Sequence, residues 1–287
     1  MSSQHLALVI GPDKSSQSIS SIDIPSYKAD EILVRIHAAA LNPTDWKSLE
    51  YGLVNEGQVL GCDYAGVVEA IGSAVTKVQV GDRTPEAILI WGGSRHMAIQ
   101  LAKLSGLTVI TTASPANYAY LRSLGADHVL PYADPATPAA IRALTSNQLR
   151  IAFDGVSEKE SATAILNSLS DDPALHKDIV ILLPLQDSLG ELADSMSASL
   201  RLIIVLSLLG KEDRMVWDYP ISARPENYAF SVRSYELLER LLSEGKITCQ
   251  KIKLMCGLER VQEGMRDMRE GRVRAEKVVF QPLRTVV

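Results

Sequence analysis

The chain has 287 residues, 46% hydrophobic and 22% charged, with 29 basic against 34 acidic side chains and a net charge of −5. This balance excludes a disordered or coiled-coil chain, a dedicated nucleic-acid binder with a basic face, and a polybasic membrane patch. Three cysteines, Cys62, Cys249 and Cys256, are too few for a disulfide framework and read as reduced thiols of a cytoplasmic protein.

The opening Met1-Ser-Ser-Gln-His5 lacks the basic start and apolar core of a signal peptide. Strands are predicted at His5–Ile10, Glu31–Leu41 and Tyr64–Ile71, in β-branched runs bounded by Gly, Pro, Asp or Ser. Gly61, Gly66, Gly72 and Gly81 punctuate this β-rich third as turns and tight bends would. From Thr84 the texture changes. A short apolar strand at 87–91 runs into Gly92 and Gly93, and a helix at Arg95–Ser105 stops at Gly106. A strand at Thr108–Ala113 follows, and Ser114-Pro115 reads as an N-cap with proline at the first position of a helix ending at Gly125. Next come strand His128–Tyr132, helix Pro138–Leu144, strand Ile151–Asp154, helix Ser157–Leu169 and strand Ile179–Leu183. Strands alternating with helices of about ten residues predict parallel βαβ units in a doubly wound sheet. The longest apolar run, starting at Leu202, falls far short of the roughly 20 residues a spanning helix needs. Near the end, Leu237, Leu238, Leu241 and Leu242 predict one helical core stripe. Leu258, Val261, Met265 and Met268 predict a second, and Lys277–Phe280 closes as a strand.

A strand, a glycine loop and a helix in succession are what a dinucleotide pyrophosphate needs, because glycines let backbone N–H groups approach it at a helix start. Gly92, Gly93 and Ser94 stand at that place; a plain tight βα turn is the alternative. Arg95 or His96 could add charge to the phosphate or face solvent. The end of the following strand distinguishes NAD from NADP, since an acid there holds the ribose 2′-hydroxyl. The chain reads Ala113-Ser-Pro-Ala-Asn-Tyr118, without a carboxylate, which favours NADPH. Asp154 ends a parallel strand at the carboxyl edge where such ligands lie; a turn aspartate is the other reading. His37, on a strand, reads as a satisfied structural histidine.

Several segments together carry a resemblance. They are Ala38-Ala-Ala-Leu-Asn-Pro-Thr-Asp-Trp-Lys47, Gly61-Cys-Asp-Tyr-Ala-Gly66, Val80-Gly-Asp-Arg83, Ile90-Trp-Gly-Gly-Ser94, Ser123-Leu-Gly-Ala-Asp127, Phe153-Asp154 and Gly245-Lys-Ile247. In order and spacing the chain resembles the medium-chain dehydrogenase/reductase superfamily, and within it the zinc-independent quinone oxidoreductases and fungal trans-acting enoyl reductases. The resemblance implies an α/β fold: a Rossmann-type doubly wound sheet plus a β-rich GroES-like catalytic domain. It implies a catalytic domain starting over residues 1–83, a dinucleotide-binding domain over 84–222, and a return to the catalytic domain over 223–287. Two departures stand out. Relatives carry several dozen more residues where Arg83 here meets Thr84, and a third glycine in the loop. A degenerate paralogue or splice form, a faulty gene model, and a sequence lacking its mobile segments all remain open.

The resemblance also implies chemistry: an NADPH-dependent oxidoreductase that reduces an enone, a quinone or a polyketide enoyl thioester by hydride transfer. Gly92, Gly93 and Ser94 would cradle the pyrophosphate. Ser114, Asn117, Tyr118 and Tyr132 would face the 2′-phosphate, with Asp154 at the sheet edge. Lys47 would support the enolate oxygen or carry a proton, and Thr44 would hydrogen-bond cofactor or substrate. Asn42-Pro43 would shape a turn in which Asp45 and Lys47 could equally be solvated. Zinc is not expected, because Gly61-Cys62-Asp63 stands where zinc-dependent relatives carry Gly-His-Glu, short of the three protein ligands catalytic zinc needs. The implied partners are a small-molecule substrate or an acyl chain carried by a polyketide synthase, in a monomer or a homodimer. The alternative function is a catalytically inactive scaffold or binding protein.

Overall fold

The computed structural model describes residues 4–85, 94–182, 187–203, 213–216 and 219–286. The chain divides into two compact units. One holds Met1–Gly93, Met215–Tyr219 and Cys249–Val287; the other holds Ser94–Arg214 and Pro220–Thr248.

The first unit begins with the antiparallel pair β1 (Gln4–Ile10) and β2 (Gln17–Asp23). Strand β3 (Ile32–Ala40) leads into helix α1 (Pro43–Glu50), and then come β4 (Asp63–Ile71) and β5 (Arg83–Pro85). Strands β3 and β4 lie so close that a Cβ on Gly66 would stand 2.0 Å from the Arg35 carbonyl oxygen, so only glycine fits there. The predicted turn after Leu41 is instead the start of α1. Pro43 sits in the first helical positions, where its fixed φ and missing N–H cost nothing.

The second unit opens with α2 (Ser94–Leu104), β6 (Ile110–Ala113), a 3-10 turn over Pro115–Asn117 and α3 (Tyr118–Ser123). Then come β7 (His128–Pro131), α4 (Thr137–Leu144), β8 (Ile151–Asp154), α5 (Lys159–Leu166), β9 (Lys177–Ile181), α6 (Asp187–Ser195) and β10 (Ala198–Leu202). Gly106 and Gly125 end their helices at φ 78° and 105°, in the left-handed region that glycine enters without strain. Helix α5 is shorter than predicted, because Ser157 sits at φ 57° inside the turn built on Asp154. β6 pairs with β7, and β8–β9–β10 form a second sheet, all parallel, as the alternating βαβ pattern requires. The short strands β11 (Arg214–Val216) and β12 (Tyr219–Ile221) precede α7 (Pro225–Ser243). Its leucines are not the predicted core stripe: Leu237 and Leu242 are exposed.

The chain returns to the first unit through β13 (Lys251–Cys256), α8 (Val261–Arg269) and β14 (Glu276–Gln281). These complete a five-stranded sheet in the order β13–β14–β3–β4–β5. Leu258, Val261 and Met265 pack with Leu8, Leu41, Met255, Val278 and Phe280 as its core, as their helical spacing predicts. The second unit has two cores. One is built on Leu166, Leu169, Ile179 and Ile181, the other on Ile99, Val109, Leu124 and Val129. Among the described residues no helix is long and apolar enough to cross a membrane.

Candidate active site

In the second unit, the β6 edge carries the residues predicted to face a 2′-phosphate. Ser114 does not cap the following turn with its side chain; its Oγ instead accepts from Asn117 Nδ2 at 3.2 Å. Tyr118 stands at the start of α3, and the Arg122 guanidinium lies 5.8 Å from its ring centroid, one helical turn on. Arg122 went unnoticed in the sequence, although its i+4 spacing from Tyr118 was a legible signal. Tyr132 is exposed just beyond β7. Three hydroxyls, an amide and a guanidinium, with no acid among them, are donors of the kind that suit a phosphate better than a ribose diol.

Asp154 is fully engaged within the chain. Its Oδ1 accepts from the backbone N–H groups of Val156 (3.0 Å) and Ser157 (2.9 Å), and its Oδ2 from Ser161 Oγ (2.8 Å). It is 2% exposed. The Ser157 hydroxyl continues the net by donating to the Asp154 carbonyl and accepting from Leu182 N–H. The carboxylate therefore holds the β8–α5 turn in place.

At the nucleotide loop, α2 begins at Ser94, while Gly92 and Gly93 lie outside the described residues. His96 is buried, and both ring nitrogens are committed: Nε2 lies 2.7 Å from the Thr248 carbonyl and Nδ1 2.7 Å from the Tyr120 hydroxyl. It is neither solvent-facing nor free to meet a phosphate. Gln100, one turn along the same face, donates to the Thr248 carbonyl (3.1 Å) and accepts from its N–H (2.8 Å). The buried face of α2 thus grips one residue of the chain after α7 through hydrogen bonds from His96 and Gln100.

In the first unit, Thr44 and Lys47 ride on α1, both half-buried, with the Lys47 ammonium 5.7 Å from the Trp46 ring centroid. Asp45 is not a solvated turn residue. It is 5% exposed, and its Oδ2 accepts from the Asn42 N–H at 2.7 Å, because an acid at this place in the first turn satisfies an otherwise orphaned donor. Burial, reinforced by the Asp63 charge, pushes its carboxyl up to about 6. The Asn42 side chain is completely buried and committed elsewhere. Its Oδ1 accepts from Lys277 Nζ in a short hydrogen bond, and its Nδ2 points to Cys62 Sγ at 3.9 Å. Lys277 also donates to Asp63 Oδ2 at 2.8 Å, while Asp63 Oδ1 is buried without a hydrogen-bond partner among the described residues. The Cys62 residue is exposed overall, yet burial of the thiol and the neighbouring Asp45 and Asp63 push its pKa up to about 11. It stays protonated at neutral pH and is no thiolate nucleophile. Lys277 and Asp63 were missed because each looks like a lone charge in a strand; only their pairing gives them meaning. His37, read as a satisfied structural histidine, is exposed on β3. No group of three or more His, Cys, Asp or Glu side chains among the described residues is arranged to hold a metal.

Two families match the chain: the alcohol dehydrogenase GroES-like domain over residues 28–125 and the zinc-binding dehydrogenase over residues 96–174. The trans-enoyl reductase ACTTS2 of Alternaria alternata is 28% identical over 337 residues, covering 92% of this chain and 95% of that protein. Since this chain has only 287 residues, at least 50 of those aligned positions have no residue here. The trans-enoyl reductase TOXD of Cochliobolus carbonum is 32% identical over 229 residues, covering 54% of this chain and 77% of TOXD. Among solved structures, the quinone oxidoreductase from Coxiella burnetii shares the fold at TM-score 0.71 and 20% identity, covering 97% of this chain and 98% of that one. The CurK enoyl reductase does so at TM-score 0.72 and 15% identity, with 97% and 98% covered. Two nucleotide-fold sheets, a β-rich partner unit and these relatives have one meaning: the chain is an oxidoreductase of the medium-chain dehydrogenase/reductase superfamily, in its zinc-independent branch.

Proposed function

We propose that this chain reduces an activated carbon–carbon double bond, in an enone, a quinone or an enoyl thioester, using NADPH and no zinc. One observation carries the reading: nearly full-length similarity to trans-enoyl reductases coincides with an acid-free, hydroxyl- and guanidinium-bearing edge at the end of β6. Bound NADPH supplies the hydride for the β-carbon. The chain's own residues do the rest. Gly92, Gly93 and the backbone at Ser94 receive the pyrophosphate, and Ser114, Asn117, Tyr118 and Tyr132 receive the 2′-phosphate, with Arg122 adding charge. Asp154 contributes by holding the turn at the sheet edge. Thr44 orients the substrate or the cofactor. Lys47 stabilises the developing enolate oxygen or returns a proton to the α-carbon.

The substrate class that fits these relatives is an acyl chain carried by a polyketide synthase, met by a monomer or a homodimer. A cytoplasmic location is supported by three cysteines that are all free thiols. A second reading, an inactive binding or scaffold protein, draws on the 50 or more aligned positions that this chain lacks. Titration with NADPH, followed by cofactor fluorescence and by turnover of enones and quinones, separates the two. Saturable binding with turnover supports the reductase. Binding without turnover of any such substrate supports the second reading, and no saturable binding at millimolar NADPH overturns the first.

A further inference from the structure

The start of α1 is held by a residue more than 200 positions away in sequence. Lys277, on β14, donates to Asn42 Oδ1 just before the helix and to Asp63 Oδ2 at the start of β4. The backbone brings these residues together: Val279 pairs with Ala40, Ala40 pairs with Asp63, and Leu41 N–H donates to the Val278 carbonyl at 3.0 Å. The Lys277 and Asp63 side chains are 16% and 1% exposed. A buried ion pair of this kind is a poor way to gain stability, because desolvating two charges offsets their attraction, and apolar replacements often do as well. One oxygen of Asp63 also has no hydrogen-bond partner among the described residues, which adds to the cost. What the pair does achieve is geometric: it fixes the Asn42 side chain, and with it the first turn carrying Thr44.

We infer that Lys277 is a positioning residue, one that fixes Asn42 and the start of α1 and so sets where Thr44 and Lys47 stand for the reduction. The inference rests on reading those two as the substrate-side wall. Asp45 makes the arrangement pH-sensitive. The groups facing it are Asp63 from β4, Lys277 from β14 and the Cys62 thiol, and the Lys277 ammonium favours its ionised form. Removing that ammonium moves Asp45 ionisation to higher pH.

The test compares Lys277→Met, Lys277→Arg and the double variant Lys277→Met/Asp63→Asn, which removes both charges of the ion pair together. Each is made with and without Thr44→Ala. A misplaced catalytic group costs on the order of 10- to 100-fold in rate. The expected result is a loss of that size in kcat for Lys277→Met or the double variant, with unchanged NADPH affinity. Lys277→Arg restores most of the rate. The acid limb of the pH–rate profile moves upward in Lys277→Met, where Asp63 keeps its charge, and not in the double variant, where the Asp63 charge that raises the Asp45 pKa is gone as well. Thr44→Ala then costs clearly less in the displaced background than in the native one, because the two changes act on the same contact. A folded variant with native kcat, or a Thr44→Ala effect that is the same in both backgrounds, overturns the inference. Amide hydrogen exchange over residues 43–50 is read in parallel. Faster exchange there in the double variant, with α2 unaffected, supports the anchoring even if the native chain turns over no substrate, an outcome that would sink the reductase reading instead. Unchanged exchange there overturns the anchoring.

Discussion

The two units each carry a buried polar network, and the two are built on opposite principles. In the second unit, His96, Gln100, Tyr120 and Thr248 are joined by hydrogen bonds, and both ring nitrogens of His96 and both ends of the Gln100 amide are engaged. In the first, Lys277 and Asp63 form an ion pair near Asp45; one oxygen of Asp63 has no hydrogen-bond partner among the described residues, and Asp45 and Cys62 titrate away from their ordinary values. A fully satisfied network rigidifies a fold at little risk, whereas a charged one left incomplete is costly and pH-sensitive. On the proposed roles of Thr44 and Lys47, the costly network lies in the unit that carries the chemistry.

The sharpest way to break the comparison is Lys277→Met. Stranding a buried aspartate costs about 3–5 kcal/mol, so the urea midpoint should fall steeply, and adding Asp63→Asn should recover most of the loss. A midpoint that barely moves would mean the pair is far more hydrated than its burial indicates.

Asp45 tests the titration. Its folded pKa of about 6 lies above the ordinary carboxylate value of 3.8. The folded state therefore holds its proton more tightly, and the contribution is fully present below pH 4 and lost as pH rises through 6. A shift of this size corresponds to roughly 3 kcal/mol. Asp45→Asn keeps an acceptor for the Asn42 N–H while removing the charge, so it should flatten the decline in stability between pH 4.5 and 7.5. An equally steep decline in the variant would place the titrating group elsewhere.

Gln100→Leu probes the satisfied network of the second unit. It strips the partner from the part-buried Thr248 N–H and should cost about 1 kcal/mol, without altering the pH dependence set by the first unit. The smallest effect belongs to Arg122→Gln. It should weaken NADPH by up to about tenfold, or 1.4 kcal/mol, and leave NADH unchanged in a fluorescence titration. Equal weakening of both cofactors would remove Arg122 from the 2′-phosphate.

The amino-acid sequence by itself determined the alternation of strand and helix from α2 to β9, the helix stops at Gly106 and Gly125, the core stripe of α8 and the absence of an acid after β6. All of these follow from short-range causes: side-chain periodicity, backbone freedom at glycine and the residue type at a strand end. Only the tertiary structure decided that the segment after Leu41 is a helix with a buried aspartate, that His96 is spent on Thr248 and Tyr120, and that Lys277 meets Asn42 and Asp63. Those contacts join residues 235 and 214 positions apart around Lys277, and 152 apart between His96 and Thr248. No local pattern encodes such pairs, because a side chain's partner across a sheet is set by strand order and register, and these exist only once the chain has folded.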